Sequence, residues 1–141
     1  MYHNIFDTHS HYDDSKFNPD REELLDNLQS QGVSLVVSCG CDLDSTQFNF
    51  DLAQKYDYIY FAAGLHPENL KGANLDDLKI IEKFAKNEKC VAIGEIGLDY
   101  YWMESSKDEQ KKFFKAQIEL ANKLDMPIIV HDRDAHGDTL D

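Results

Sequence analysis

Apolar and polar positions fall along this chain in blocks that switch between two periods. Ile5-Phe6 ends a first short apolar run, and Val33 to Val37, Tyr58 to Leu65, Cys90 to Ile93 and Ile128 to Val130 give four more. Short continuous runs of this kind predict strands buried on both faces. Between them, apolar residues recur at helical spacing: Leu24, Leu25 and Leu28; Phe48, Leu52 and Tyr56; Leu75, Leu78, Ile81 and Phe84; Phe114, Ile118, Ala121 and Leu124. The punctuation agrees. Asn18-Pro19 predicts the first helix start and Gly32 its end, the second helix begins near Ser45, and Asn74 caps the third. Ser106 with Glu109 forms a capping-box pattern for the fourth, which stops before Pro127, and Thr139-Leu140 points to the entry of another.

The order is therefore strand then helix four times, then a fifth strand, with short connections. That alternation implies an α/β fold, a parallel sheet covered by helices. It suits either an open doubly wound sheet or the beginning of a (β/α)8 barrel. No repeat, linker or low-complexity tract divides residues 1–141, which read as a single domain.

Charge narrows the partners. With 27 acidic and 14 basic residues the net charge is −13. A broad basic surface gripping nucleic acid is excluded, because phosphate affinity comes mainly from Lys and Arg. An enzyme whose bound cations meet phosphate locally is not. No apolar run approaches the ~20 residues of a membrane span, and the N-terminus does not resemble a signal peptide. Cys39, Cys41 and Cys90 make neither a disulfide framework nor a zinc-finger spacing. They read as small buried hydrophobes in a reducing cytoplasm, although Cys39 and Cys41 would share one strand face.

The chemistry gathers at strand ends. The first strand runs into His9 and His11, the third into His66, the fourth into Glu95 between Gly94 and Gly97, and the fifth into His131. In a parallel sheet all C-terminal ends lie on one rim, where α/β proteins place their sites. A Glu ending a dry strand needs compensation, either a nearby Arg or Lys or a cation. Positions i and i+2 share a strand face, so His9 and His11 can reach one ion together. Imidazoles with a carboxylate are ligands for Zn²⁺ or a similar divalent metal. Asp7 and Asp99 can orient these histidines from behind. Arg133 can bind a phosphate oxygen, or pair with Asp132 or Asp134. His3 and His136 read as ordinary surface residues.

The motifs Asp7-Thr8-His9-Ser10-His11, Gly64-Leu65-His66-Pro67, Gly94-Glu95-Ile96-Gly97-Leu98-Asp99-Tyr100 and Pro127 through Ala135 carry a resemblance to a known family. In this order and spacing, over essentially the whole chain, the sequence resembles the TatD family of metal-dependent deoxyribonucleases, within the wider amidohydrolase-like barrel hydrolases. The resemblance implies a TIM-type (β/α)8 barrel, two divalent ions (Zn, Mg or Mn) and hydrolysis of DNA phosphodiesters. It implies His9 and His11 as ligands of one ion, Glu95 as the bridge, His131 as a ligand of the second, and His66 facing substrate. Tyr12, where the family more often has an aliphatic residue, and Gly137, where it more often has an acidic one, depart from the pattern.

A (β/α)8 barrel takes about 250 residues, and only the first five strands and four helices are present here. The resemblance then implies the N-terminal part of such an enzyme, without the family's His beyond strand six or Asp at strand eight. A partial barrel exposes two strand edges, so self-association is the expected behaviour, with little catalysis by the chain alone. Two other functions remain open: a small-molecule amidohydrolase, and a non-catalytic, truncated metal-binding remnant. No strand ends in the Lys that many amidohydrolases carboxylate, which favours the nuclease branch.

Overall fold

The β-branched run Val33–Cys39 forms β2, flanked by β1 (Ile5–Ser10) and by β3 (Ile59–Ala63), with β4 (Cys90–Asp99) and β5 (Ile128–Arg133) following. The computed structural model describes residues 3–141. All four strand pairs are parallel, and the sheet order is β1-β2-β3-β4-β5. The helices are α1 (Arg21–Leu28), α2 (Leu43–Lys55), α3 (Leu78–Ala85), α4 (Lys107–Leu124) and the short α5 (His136–Leu140).

Side-chain alternation along the strands separates two cores and decides the architecture. Val36, Ile59, Phe61, Ala63, Ile93, Ile96 and Leu98 face the helices, against Leu25, Leu52, Ile81, Phe113, Leu120 and their neighbours. The opposite face holds a smaller cluster of Val37, Cys39, Ala62 and Ala92 with Tyr60, Val91 and Ile129, and it has no helical member among the described residues. A doubly wound sheet has helices on both faces and a reversal in strand order. Helices on one face and unbroken sequential order make a barrel wall instead, five strands of it.

Local starts differ from the sequence expectation in two places. The segment after Asn18-Pro19 does not open α1. A 3-10 turn at Ser15–Phe17, capped by Asp14, precedes it, and α1 begins at Arg21. Arg21 folds back to donate to the carbonyls of Tyr12 and Asp14, which holds this loop over the first strand end. Helix α2 begins at Leu43, because the Asp42 carboxylate accepts from the Ser45 N–H and completes a capping box with the Ser45 hydroxyl. The two family departures are easily accommodated. Tyr12 is buried against Phe17 with ring centroids 5.3 Å apart, and open space surrounds Gly137.

The larger difference is in β4, which does not stop at Glu95 but continues to Asp99. Its register against β5 slips between Ile93 and Ile96, where the Gly94–Glu95 peptide is cis. Beyond the slip, Gly97 sits at φ +147, and a Cβ there would run into the backbone carbonyl of His131. Only glycine lets the two strands close up at that point. The consequence is functional, since His131 is paired directly with Gly97.

Candidate metal centre

The site is built around one buried carboxylate. The Glu95 N–H donates to the Gly40 carbonyl at 2.8 Å, and the His66 N–H donates to the Cys41 carbonyl at 2.8 Å. The loop after β2 therefore fixes the backbone both just beyond β3, at His66, and within β4, at Glu95. From that anchor the two Glu95 oxygens point in different directions. Oε2 lies 3.0 Å from His9 Nε2 and 3.3 Å from His11 Nε2. Oε1 lies 3.2 Å from His131 Nδ1 and 3.9 Å from His66 Nε2. The four histidines and Glu95 line one open cavity of about 510 Å³ on the rim.

Hydrogen bonds on the far side of each ring set what the near side can do. His11 Nδ1 faces the Cys39 carbonyl at 3.2 Å and donates to it, leaving the Nε2 lone pair towards Glu95. His131 Nε2 lies 2.8 Å from Asp99 Oδ2 and donates there, leaving its Nδ1 lone pair on the Glu95 side. His66 is the opposite case. Its Nδ1 accepts from the Glu68 N–H at 3.2 Å, so its Nε2 carries the hydrogen and presents a donor to the cavity. Two sets of donor atoms lie within 4.8 Å of one another, His9 with His11 and Glu95, and His66 with Glu68 and His131. Nitrogen and carboxylate donors at this spacing fit a divalent ion. The fit is better in the first set, because His66 has already committed its free lone pair.

These contacts move the protonation equilibria. The Cys41 thiol and then the Glu95 carboxylate push His11 up to about 10. His131 is raised by Glu95, against burial, with Asp99 adding to the effect. Burial alone would raise Glu95, but hydrogen bonds from His11 and His131 override it and hold the carboxyl below the usual range. Burial and the neighbouring His131 charge lower His66 to about 4, which keeps its ring neutral.

An ion must displace the proton on each imidazole it takes, so ion affinity is expected to fall about tenfold per pH unit per released proton as pH is lowered below the raised value. Calorimetric titration with Mn²⁺ or Zn²⁺ in buffers of different ionisation enthalpy measures that proton release. The ion-free chain follows the opposite logic. The raised His11 contributes stability below its ordinary 6.5 and loses it as pH climbs through about 10. The lowered Glu95 contributes above its ordinary 4.5 and loses it as pH falls towards the depressed value. For this cluster, stability without metal peaks between those ordinary values.

Residues 6–141 match the TatD related DNase family. The chain belongs to the TatD family. Among curated relatives, it is 39% identical over 136 residues to a protein of Bacillus subtilis (strain 168) named as an uncharacterized metal-dependent hydrolase, YabD, covering 96% of this chain and 53% of that protein. It is 35% identical over 134 residues to the 3′-5′ ssDNA/RNA exonuclease TatD of Dickeya dadantii (strain 3937), covering 94% and 51%. The crystal structure of YjjV, a TatD homolog from Escherichia coli K12, superposes with a TM-score of 0.82 at 30% identity, over 96% of this chain and 53% of that one. A TatD family hydrolase from Entamoeba histolytica shares the fold at TM-score 0.86 and 22% identity. The chain spans about half the length of these relatives.

Two residues of this TatD site, Asp7 and Arg133, stand differently from their sequence-based expectation, and a third, Asp99, stands where the sequence places it. Asp7 accepts from the backbone N–H of His9 at 3.2 Å and touches no imidazole. Arg133 pairs with neither Asp132 nor Asp134; its guanidinium lies over the Tyr101 ring. Asp99 lies behind His131, fully buried, and burial is opposed by the N–H groups of Trp102 and Tyr101 and by His131, which keep its carboxyl low. One residue of the rim, Glu68, escaped the sequence, and Cys41 was marked there only by sharing a strand face with Cys39. Cys41 has its Sγ 3.8 Å from His11 Nδ1, and Glu68 stands by His66. Cys41 lies two residues past the end of β2 and Glu68 five past the end of β3, so extending the rim argument to β2 and past Pro67 reaches both. Cys39, by contrast, is buried in the inner cluster, where burial pushes its thiol up to about 12.

Proposed function

We propose that this chain provides the metal-holding residues of a TatD-type hydrolase that cleaves phosphodiester bonds of single-stranded DNA, and of RNA by likeness to the exonuclease relatives. One observation carries the proposal: the Glu95 oxygens divide between a His9–His11 pair and a His131–His66 pair. A carboxylate shared in this way suits two divalent ions, Zn, Mg or Mn, held side by side. When bound, such ions supply Lewis acidity and lower the pKa of a coordinated water towards ~7. His9 and His11 would hold the first ion through Nε2, His131 the second through Nδ1, and Glu95 both. His66, neutral and donating from Nε2, would bond to a phosphoryl oxygen or to the leaving oxygen. Asp99 fixes the His131 tautomer.

The proposal includes the chain's own assembly. Strands β1 and β5 are the two sheet edges, and Ile5, Phe6, Ile128 and Val130 are exposed on them. Unpaired edges with apolar side chains favour association, so light scattering is expected to give a mass above the monomer's 16.2 kDa.

The decisive assay uses 5′-labelled single-stranded DNA with Mg²⁺, Mn²⁺ or Zn²⁺, for the chain alone and for the chain joined to the second half of the Bacillus relative. The chain alone is expected to bind metal with little turnover, and the joined protein to cleave in an ion-dependent way. Hydrolysis only of a small carboxylic ester or amide would favour the amidohydrolase function instead. Metal binding with a silent joined protein would favour the non-catalytic remnant.

A further inference from the structure

We propose that Tyr101, Trp102 and Arg133 form a stacking subsite that holds an unpaired base of a single-stranded nucleic acid beside the metal centre. This rests on the nuclease function proposed above and gives it a binding surface. Immediately after β4 the chain turns through Tyr101 and Trp102, whose side chains are 55% and 52% exposed although both are large aromatics. Their rings meet edge to face, with centroids 4.7 Å apart. Arg133, at the end of β5, lays its guanidinium 4.2 Å from the Tyr101 centroid and 5.5 Å from that of Trp102. It forms no ion pair with a carboxylate among the described residues; its neighbour Asp132 is taken by His136.

The turn is tied rigidly to the metal centre. Asp99 Oδ1 accepts from the N–H groups of Tyr101 at 2.9 Å and Trp102 at 2.8 Å, while its Oδ2 lies 2.8 Å from His131 Nε2. One buried carboxylate thus orients a proposed metal ligand and the aromatic turn together. Across the strands, Asp99 pairs with Arg133, and the Tyr100 N–H donates to the Arg133 carbonyl at 2.9 Å.

Charge explains why stacking would be needed and which occupant fits. At a net charge of −13 the chain has no general attraction for a polyanion. A strand delivered to the metals must be held by contacts that do not depend on net charge. Base stacking on aromatic rings is such a contact, tolerant of sequence because every base has a π face. An unpaired guanidinium stacked at the same spot can meet a phosphate of the same nucleotide. A duplex, whose bases are already stacked, offers no open face to the platform.

The chain's single tryptophan is Trp102, so its fluorescence reports on this subsite alone. A short oligothymidylate is titrated into the full chain, with an abasic oligomer of equal phosphate count and a duplex as controls. Binding is read independently by anisotropy of a fluorescein-labelled oligothymidylate. Saturable quenching by oligothymidylate only is expected, with affinity about tenfold weaker in Trp102→Leu, from the loss of one stacked base. Trp102→Phe should restore most of it.

Equal quenching by the abasic oligomer, or unchanged affinity in Trp102→Leu, would overturn the proposal. So would a Trp102→Leu chain whose mass by light scattering drops while its oligothymidylate affinity holds, since the patch would then be a contact between copies. Repeating the titration in Glu95→Gln separates the two claims. Quenching that survives there, with no cleavage by the joined parent protein, would retain the subsite and refute the nuclease.

Discussion

Replacing Glu95 by glutamine is expected to weaken divalent-ion binding by at least about a hundredfold, while leaving the fold in place. The side chain keeps its size and its backbone anchor, the N–H bond to the Gly40 carbonyl at 2.8 Å. What disappears is the negative charge that both halves of the site share. Four imidazoles converge on this carboxylate, the nearest at 3.0 and 3.2 Å. An amide presents one oxygen instead of two and turns a donor N–H₂ group towards the other half-site, so it cannot bridge cations. Calorimetric titration with Mn²⁺ or Zn²⁺, alongside circular dichroism, gives the answer. In a barrel of the relatives' length the same change should reduce phosphodiester cleavage by orders of magnitude. His66→Gln provides the contrast, because the His66 ring presents a donor rather than a lone pair to the cavity; its ion affinity should stay near that of the parent chain. Parent-like ion binding by Glu95→Gln would show that the histidines hold metal without the carboxylate, and the bridging role would be lost.

The rim was legible because its signal is local and chemical. His9, His11, Glu95 and His131 are strong metal-ligand types at the ends of apolar runs, and a parallel sheet leaves those ends on one side. The choice between barrel and doubly wound sheet was not legible from periodicity. It depends on which strands become neighbours, a long-range property, and it appears only when Val37, Cys39, Ala62 and Ala92 are seen to face away from every described helix. The end of β4 was misjudged for a related reason. A glycine on each side of Glu95 looked like a strand ending, whereas Gly97 serves a close approach to His131 from another strand. The position of Arg133 also escaped the sequence. Its charge suits a phosphate oxygen or an ion pair with Asp132 or Asp134; Asp132 is engaged by His136, and the guanidinium lies over the Tyr101 ring.

The buried face of α4 shows the same limit of a hydrophobic pattern, and it leads to the largest expected loss of stability. Apolar spacing selected Phe114, Ile118, Ala121 and Leu124, yet Gln110 and Gln117, seven residues apart, are among the most buried side chains in the protein. Each serves the backbone at a strand end. Gln110 accepts from the Asp99 N–H at 2.8 Å and donates to the Asp99 carbonyl at 2.9 Å. Gln117 accepts from the Leu65 N–H at 2.7 Å and donates to the Leu65 carbonyl at 3.0 Å. Leu65 immediately precedes His66, so the side-chain amide completes a ladder that β3 has run out of partners to continue. In Gln117→Leu the buried Leu65 N–H and carbonyl are both left without a partner. An orphaned buried group costs about 1–3 kcal/mol, the N–H usually more than the carbonyl. The added apolar contact of leucine recovers part of this, and a net loss of about 3 kcal/mol is expected in denaturant unfolding. Set against a typical domain stability of roughly 5–15 kcal/mol, that is a large fraction. The Phe113 carbonyl, which Gln117 also reaches at 3.3 Å, lies four residues back in the same helix and keeps its helical bond, so it adds little. A loss below about 1 kcal/mol would mean that water or a shifted backbone satisfies Leu65, and that His66 is held in place by the Cys41 carbonyl alone.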